Sequence, residues 1–278
     1  MSSQRLAFIG LGNMNGAILR GILASGHDPK LVKGTVRNPE KSQALSSELG
    51  VTVLAEGDNP AANQEAVKDA DIIFLGVKPF GISDMCEQIK DHLPAGSVVV
   101  SVAAAVTTAT MEAHLNPGQS VIRTMPNVPL QVGKGAVGLS AGTHATEEHV
   151  NAATALFEPS GLVVKVPEDQ LDAVSAISGS GPAYAFYLAE LMAEAGEKLG
   201  LDAALSRDLA RATMAGAGYM LDDAAADPAT LRKSVTSPKG TTEVALRIFE
   251  ERGMRDIISA GAAGATARAQ EISNDLAS

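Results

Sequence analysis

Apolar positions in the first half of the chain fall in short runs, separated by stretches where they recur every three or four residues. Runs of four to seven predict strands, and the three-to-four spacing predicts amphipathic helices. Leu6–Gly10 reads as a strand and Asn13–Ser25 as a helix with Ile18, Ile22 and Leu23 on one face. Leu31–Val36 and Val51–Leu54 read as weaker strands. Asp71–Val77 (DIIFLGV) and Ser97–Ala103 (SVVVSVA) are nearly continuous apolar runs, as expected of strands covered on both faces. A helix near Thr107–His114, strands at Ser120–Thr124 and Ala136–Ser140, a helix at Thr146–Phe157 and a strand at Leu162–Val166 follow. Strands alternating with helices predict an α/β domain with a parallel sheet and right-handed crossovers.

The pattern changes after Pro167. Residues 170–278 carry few β-branched runs and much helical periodicity, with helices expected at Tyr184–Leu199, Leu205–Leu221, Thr241–Arg252 and Met254–Ile272. Ala224–Ala226 and the tail Ser273–Ser278 read as a loop and a terminus. The expected organisation is two domains, 1–167 and 168–278. The helical half is rich in alanine and poor in aromatics, and several helices are apolar on more than one face. Such helices predict packing against a second subunit.

Composition narrows the function classes. Of the 278 residues 45% are hydrophobic, ample for a core, but only 3% are aromatic, so small aliphatic side chains must fill it. The net charge is −10 and no stretch is strongly basic, which argues against nucleic acid and membrane as partners. Cys86 is the only cysteine, so neither an intrachain disulfide nor a cysteine metal cluster can form. The histidines (His27, His92, His114, His144, His149) make no convincing metal pair, and no metal is expected. The N-terminus lacks a signal-peptide pattern and no apolar run reaches 18 residues. A cytoplasmic protein is expected.

The first strand leads into Gly10-Leu11-Gly12-Asn13-Met14-Asn15-Gly16. A glycine turn between a strand and a helix suits a dinucleotide pyrophosphate: the first glycine permits the turn, and the second lets the backbone approach the phosphates at the helix N-terminus. The usual third glycine would fall on Asn15; Gly16 stands one place later. At the end of the second strand, where NAD-specific proteins carry Asp or Glu, stand Arg37, Asn38 and Lys41. An arginine pairs with a 2′-phosphate and a carboxylate repels it, so NADPH is expected over NADH, unless Arg37 is simply a solvated surface residue. Two more strand ends should open onto such a cofactor. Gly76-Val77-Lys78-Pro79 offers a lysine that touches a ribose hydroxyl or stands in solvent. Ser101 to Ala105 offers small residues, Ala103 and Ala104 among them, that leave room for the nicotinamide ribose and ring. Arg123-Thr124-Met125-Pro126-Asn127 lines the floor of the site or braces a loop; the residue types do not choose.

Two segments of the helical half carry chemistry. Ser178-Gly179-Ser180-Gly181-Pro182-Ala183-Tyr184 opens the long helix. Ser237-Pro238-Lys239-Gly240-Thr241-Thr242-Glu243 precedes another, and its Ser, Thr and Gly residues can donate to a carboxylate, as can the free amides of a helix start. The alternative for each is a plain helix cap.

Taken in order, GxGNM, VKP, RxMPN, SGSGPAY and SPKGTTEVAL resemble the pyrroline-5-carboxylate reductases over essentially the whole chain. The resemblance implies a doubly wound, mostly parallel Rossmann domain followed by an all-α dimerisation domain. It implies a homodimer, or a higher oligomer such as a decamer, with the active site between one subunit's cofactor domain and the helical half of the dimer. The implied substrate is pyrroline-5-carboxylate, a five-membered cyclic imine bearing a carboxylate, reduced by NADPH, or alternatively NADH, to L-proline. Carried over by motif, Thr242 supplies the hydroxyl at the ring nitrogen, and Ser237, Gly240 and Thr241 are the donors around the carboxylate. Gly10, Leu11, Gly12, Asn13 and Met14 form the pyrophosphate turn, and Arg37 and Asn38 the 2′-phosphate region. Asn63 is an adenosine-side contact, Val77, Lys78 and Pro79 the cofactor-lining strand end, and Ala103 and Ala104 lie beside the ribose.

Three departures stand out. The family often has Gly or Ala where this chain has Asn15, its AAG reads Ala103-Ala104-Ala105 here, and its SPGG reads Ser237-Pro238-Lys239-Gly240. A β-hydroxyacid dehydrogenase would share the glycine turn, but as a family those enzymes carry a lysine followed by asparagine on the long central helix, where this chain has only Lys198 near the end. A non-catalytic NADP(H) sensor would need the turn and not SPKGTT.

Overall fold

A computed structural model of the chain describes residues 3–277. It divides into two compact units, one running to Gly179 and taking in the chain again from Ala265, the other Ser180–Gly264.

The first unit is an eight-stranded sheet with helices on both faces. Its elements run β1 (Leu6–Ile9), α1 (Asn13–Ala24), β2 (Val32–Val36), α2 (Pro39–Leu49), β3 (Thr52–Ala55), α3 (Ala62–Val67), β4 (Ile72–Leu75), α4 (Ile82–Ile89) and β5 (Val98–Ser101). Then come α5 (Thr108–Ala113), β6 (Ser120–Met125), β7 (Gly135–Ala141), α6 (Glu147–Phe157), β8 (Gly161–Lys165) and the short α7 (Leu171–Val174). Strand order is β3-β2-β1-β4-β5-β6-β7-β8.

Double coverage of the sheet is written in β1. Leu6 and Phe8 belong to one core cluster, with Ile18, Leu19 and Ile22 of α1. Ala7 and Ile9, pointing the other way by the two-residue strand period, belong to a second, with Ala66 and Val67 of α3, Ile82 and Cys86 of α4 and Met111 of α5. Phe8 and Phe74 stack at 4.5 Å between ring centroids, and Phe157 meets Phe74 edge-on at 5.8 Å. These three rings supply much of the aromatic packing in an otherwise aliphatic core.

The structure corrects the sequence reading in three places. β7 runs antiparallel to β6, not parallel. The link 126–134 holds only a 3-10 turn at Val128–Val132, too short for the crossover that a parallel pair requires. β8 then returns parallel to β7 through α6. Second, the sequence reading leaves out α2, α3 and α4, although α4 carries the helical spacing in Ile82, Met85, Cys86 and Ile89. α2 buries only Ser42 among its side chains, and α3 is six residues long, so neither shows a wide apolar stripe. Third, the expected loose tail is helical as far as Ala277: Leu276 packs on the second core cluster, and Ser273 Oγ donates to Ala105 O at 2.7 Å. Ser278 lies outside the described residues.

The second unit holds α8 (Gly181–Lys198), α9 (Ala203–Met220), α10 (Pro228–Ser234), α11 (Thr241–Glu251) and the greater part of α12 (Met254–Ala277). α8 and α9 pack closely over small residues: Ala193, Ser206 and Ala210 are buried, and a Cβ on Gly196 would meet Ser206 Oγ at 2.7 Å. Almost nothing else in this unit is buried, while Phe186, Tyr187, Leu205, Leu209, Ile257 and Ile258 are exposed. Among the described residues no helix is long and apolar enough to cross a membrane.

Candidate active site

β1 and β4 are neighbours, but the chain reaches β4 only after travelling outward through β2 and β3. Their following loops therefore part in opposite directions and open a crevice at the strand ends. The glycine turn leaves β1 at that point. Gly10 adopts the left-handed region, φ 79°, where a side chain would be strained. Its N–H donates to Thr35 Oγ1 at 3.1 Å, and the Leu11 N–H to Thr35 O at 2.8 Å. Leu11 turns inward and is buried. Gly12 is exposed, caps α1, and has open space where a Cβ would stand. The first helical bond of α1 runs from Gly16 N–H to Gly12 O, so the Asn13 and Met14 amides have no helical acceptor. No acidic residue and no side-chain cap occupies this first turn. Asn13 is exposed, and Met14 packs partly against the core.

Past β2, Arg37 is exposed and pairs with no acid among the described residues. Asn38 is also exposed, but its side chain caps α2 by accepting the Lys41 N–H at 3.0 Å. Past β4, Val77 and Pro79 are half-buried and Lys78 is exposed. Past β5, Ala103 is buried with its N–H on Ser101 Oγ at 3.2 Å, Ala104 is exposed, and Ala105 is left-handed at φ 63°. Because β1, β2, β4 and β5 are all parallel, these segments share one edge of the sheet. Asn63 differs: it is fully buried on α3, its Nδ2 donates to Gln88 Oε1 at 3.0 Å, and its Oδ1 has no partner. Gln88 carries no motif and went unread in the sequence; only the packing of α4 on α3 brings it to Asn63.

The RxMPN segment is a brace. Arg123 is buried, with Nη2 2.8 Å from Asp172 Oδ1 and Nη1 3.5 Å from Glu168 Oε1. Glu168 in turn accepts the Thr108 N–H and hydroxyl at 2.7 and 2.6 Å. Asn127 donates to Ser178 O at 3.0 Å and accepts the Ala136 N–H at 2.8 Å. Cys86 is buried, and burial with the neighbouring Glu87 charge pushes its thiol up to about 12, so no thiolate is available. Among the described residues no group of three or more His, Cys, Asp or Glu is placed to hold a metal ion.

In the helical unit, Ser237 to Gly240 form a turn closed by Gly240 N–H to Ser237 O at 2.9 Å. Gly240 caps α11, and a Cβ there would meet Ser237 O at 2.9 Å, so the position demands glycine. The first helical bond of α11 is Val244 N–H to Gly240 O, which leaves the Thr241 and Thr242 amides without a helical acceptor. Thr242 is half-buried; Ser237, Lys239 and Thr241 are exposed. The sequence reading missed Glu243, whose carboxylate accepts the Lys239 N–H at 2.6 Å. That contact ties the first-turn acid to the preceding loop. The i, i+4 spacing of an acid behind a loop residue was the available signal. This segment can receive an organic acid on amides and hydroxyls.

A family model described as pyrroline-5-carboxylate reductase dimerisation matches residues 168–272. A second, described as NADP oxidoreductase coenzyme F420-dependent, matches residues 5–105. The chain is 35% identical over 277 residues to a pyrroline-5-carboxylate reductase of Pseudomonas aeruginosa, covering 99% of each. It is 37% identical to one of Corynebacterium melassecola, covering 96% of this chain and 98% of the relative. The solved structure of a pyrroline-5-carboxylate reductase from Coxiella burnetii superposes with a TM-score of 0.90 at 35% identity, covering 98% of this chain and 99% of that one.

Proposed function

This chain belongs to the pyrroline-5-carboxylate reductase family, and from that premise we propose that it reduces 1-pyrroline-5-carboxylate to L-proline with a nicotinamide dinucleotide, NADPH by preference. The observation that carries the reading is full-length kinship to enzymes of that name, at more than a third identity, with no motif region missing.

The residues suit a dinucleotide. The open space at Gly12, the unshared amides of Asn13 and Met14 and the absence of acid in the first turn of α1 together fit a pyrophosphate. Leu11 is turned into the core, so its contribution there is its backbone. Val77, Lys78, Pro79, Ala103 and Ala104 would line the nicotinamide half of the crevice. Arg37, exposed and without an acid partner among the described residues, would pair with a 2′-phosphate, and Asn38 retains its amide hydrogens for the same region. Asn63 is fully buried, so it would serve the adenosine side only on release of its Gln88 contact. When bound, the cofactor supplies a hydride to the imine carbon.

The chain's own part is orientation and a proton. Ser237, Gly240 and Thr241 would hold the substrate carboxylate on the α11 start, where helix-end amides favour an anion. Thr242, half-buried one residue into that turn, would place its hydroxyl at the ring nitrogen. A hydrogen-bonded or protonated imine accepts hydride better, and the nitrogen gains the proton as the C=N bond becomes C–N. The apolar helix faces of the second unit support a homodimer, or a larger assembly such as a decamer, which sedimentation velocity would distinguish.

The test is NADPH and NADH oxidation followed at 340 nm with pyrroline-5-carboxylate, beside NADP reduction with 3-hydroxy acids. Turnover of the imine, faster with NADPH, is expected. Tight NADPH binding with no turnover would make the chain a sensor, and turnover of hydroxy acids alone would make it a β-hydroxyacid dehydrogenase. Arg37→Asp should weaken NADPH far more than NADH; equal effects would remove Arg37 from the 2′-phosphate.

A further inference from the structure

The departure at residue 15 has a structural counterpart. Asn15, in the first turn of α1, is buried at 1% exposure. Its Nδ2 donates to Ile9 O and to Gly10 O, both at 3.2 Å. Ile9 O also accepts the Gly76 N–H at 2.9 Å, and Gly10 O accepts the Gly12 N–H at 2.8 Å. One carboxamide therefore sits where the end of β1, the glycine turn and the end of β4 meet. The room for it comes from Gly76, where a Cβ would overlap the Asn15 carboxamide and approach Gly10 O to 2.9 Å. In a three-glycine turn the last glycine keeps helix and strand close. Here a polar side chain fills the same corner, and the missing side chain at 76 makes way for it.

We propose that Asn15, seated in the space left by Gly76, is a positioning residue that fixes the Gly10–Gly12 turn for the dinucleotide. The two bonds act on carbonyls rather than on the amides a pyrophosphate would use. They hold the turn from behind and leave its open face free. The pair is matched: neither residue can be exchanged alone for alanine without a vacancy or an overlap, and exchanging both removes the overlap with the carboxamide, leaving only the 2.9 Å approach to Gly10 O. The inference rests on the dinucleotide reading above.

The experiment compares Asn15→Ala, Gly76→Ala and the double variant with the full-length wild type. It measures NADPH affinity by fluorescence quenching, KM for NADPH and for pyrroline-5-carboxylate, and the melting temperature without cofactor. Asn15→Ala should raise the NADPH Kd and KM by about tenfold, the scale of one or two lost hydrogen bonds, with the imine KM within about twofold. Gly76→Ala should be worse, or fail to fold, and the double variant should recover part of that loss. Unchanged NADPH affinity in a folded Asn15→Ala, or a double variant no better than Gly76→Ala, would overturn the proposal. A wild type that binds NADPH but does not reduce the imine would refute the enzymatic reading and leave the pair intact. A wild type that binds no dinucleotide would end both.

Discussion

Ala105 and Lys239 share one backbone conformation, at φ 63° and φ 61°, and are the non-glycine residues with positive φ among those described. On the resemblance drawn from the sequence, they also stand where the AAG and SPGG motifs carry glycine. This chain therefore holds a left-handed turn at each of these two positions with a Cβ present. An L-residue held there costs roughly 1–2 kcal/mol. Glycine returns part of this through its greater unfolded-state entropy. Lys239→Gly should stabilise the protein by about 0.5–1 kcal/mol in urea denaturation. Ala105→Gly should gain less, because Ala105 is buried and its methyl is packed. Loss of stability in Lys239→Gly would show that the Lys239 side chain holds the turn.

The Arg123 brace makes a sharper prediction. Its guanidinium is buried beside Asp172 and Glu168, so removing it strands acids that are themselves mostly covered. Arg123→Met should cost about 3–5 kcal/mol in chemical denaturation, the range for breaking a buried pair. Adding Asp172→Leu should return part of that loss. If the two losses simply add, the arginine and Asp172 act independently.

Acid stability should depend on His27, which is buried with Nε2 unpartnered. Burial holds its pKa below the ordinary 6.5, although a hydrogen bond with the Gln4 backbone and the nearby Asp28 carboxylate work the other way. The unfolded chain therefore takes up the proton first. Stability should fall as pH drops through about 6.5 and level off below the folded pKa, with a slope of at most about 1.4 kcal/mol per pH unit. His27→Gln should flatten that slope between pH 7.5 and 5. An unchanged slope would assign the acid sensitivity to other groups.

Thr242 is the residue on which turnover should depend. Thr242→Ala should lower kcat about 10–100-fold, near the lower range for a positioned proton donor, and Thr242→Ser should restore most of it. The NADPH Kd should stay within about twofold, because the substitution leaves the glycine turn untouched. Near-normal kcat in the alanine variant would remove Thr242 from the mechanism.

The alternation of short apolar runs with helical spacing was enough to place all eight strands near their observed bounds and to mark β4 and β5 as covered on both faces. The glycine turn, the cation after β2 and the donor-rich start of α11 were equally legible, because each is a contiguous segment whose residue types state its chemistry. The roles proposed for Thr242 and Asn63 come from the family resemblance and not from residue types.

What the sequence determined by itself is local: which segments extend, which coil, and where a turn offers its amides. The tertiary structure alone decided the direction of β7, the use of Arg123 as a brace rather than a floor, the Gln88 contact to Asn63, and the fit of Asn15 into the gap at Gly76. Each of these joins residues far apart along the chain, and a linear pattern carries no distance between them. Only when β4 lies beside β1 does an absent side chain at 76 become the space that a carboxamide at 15 requires.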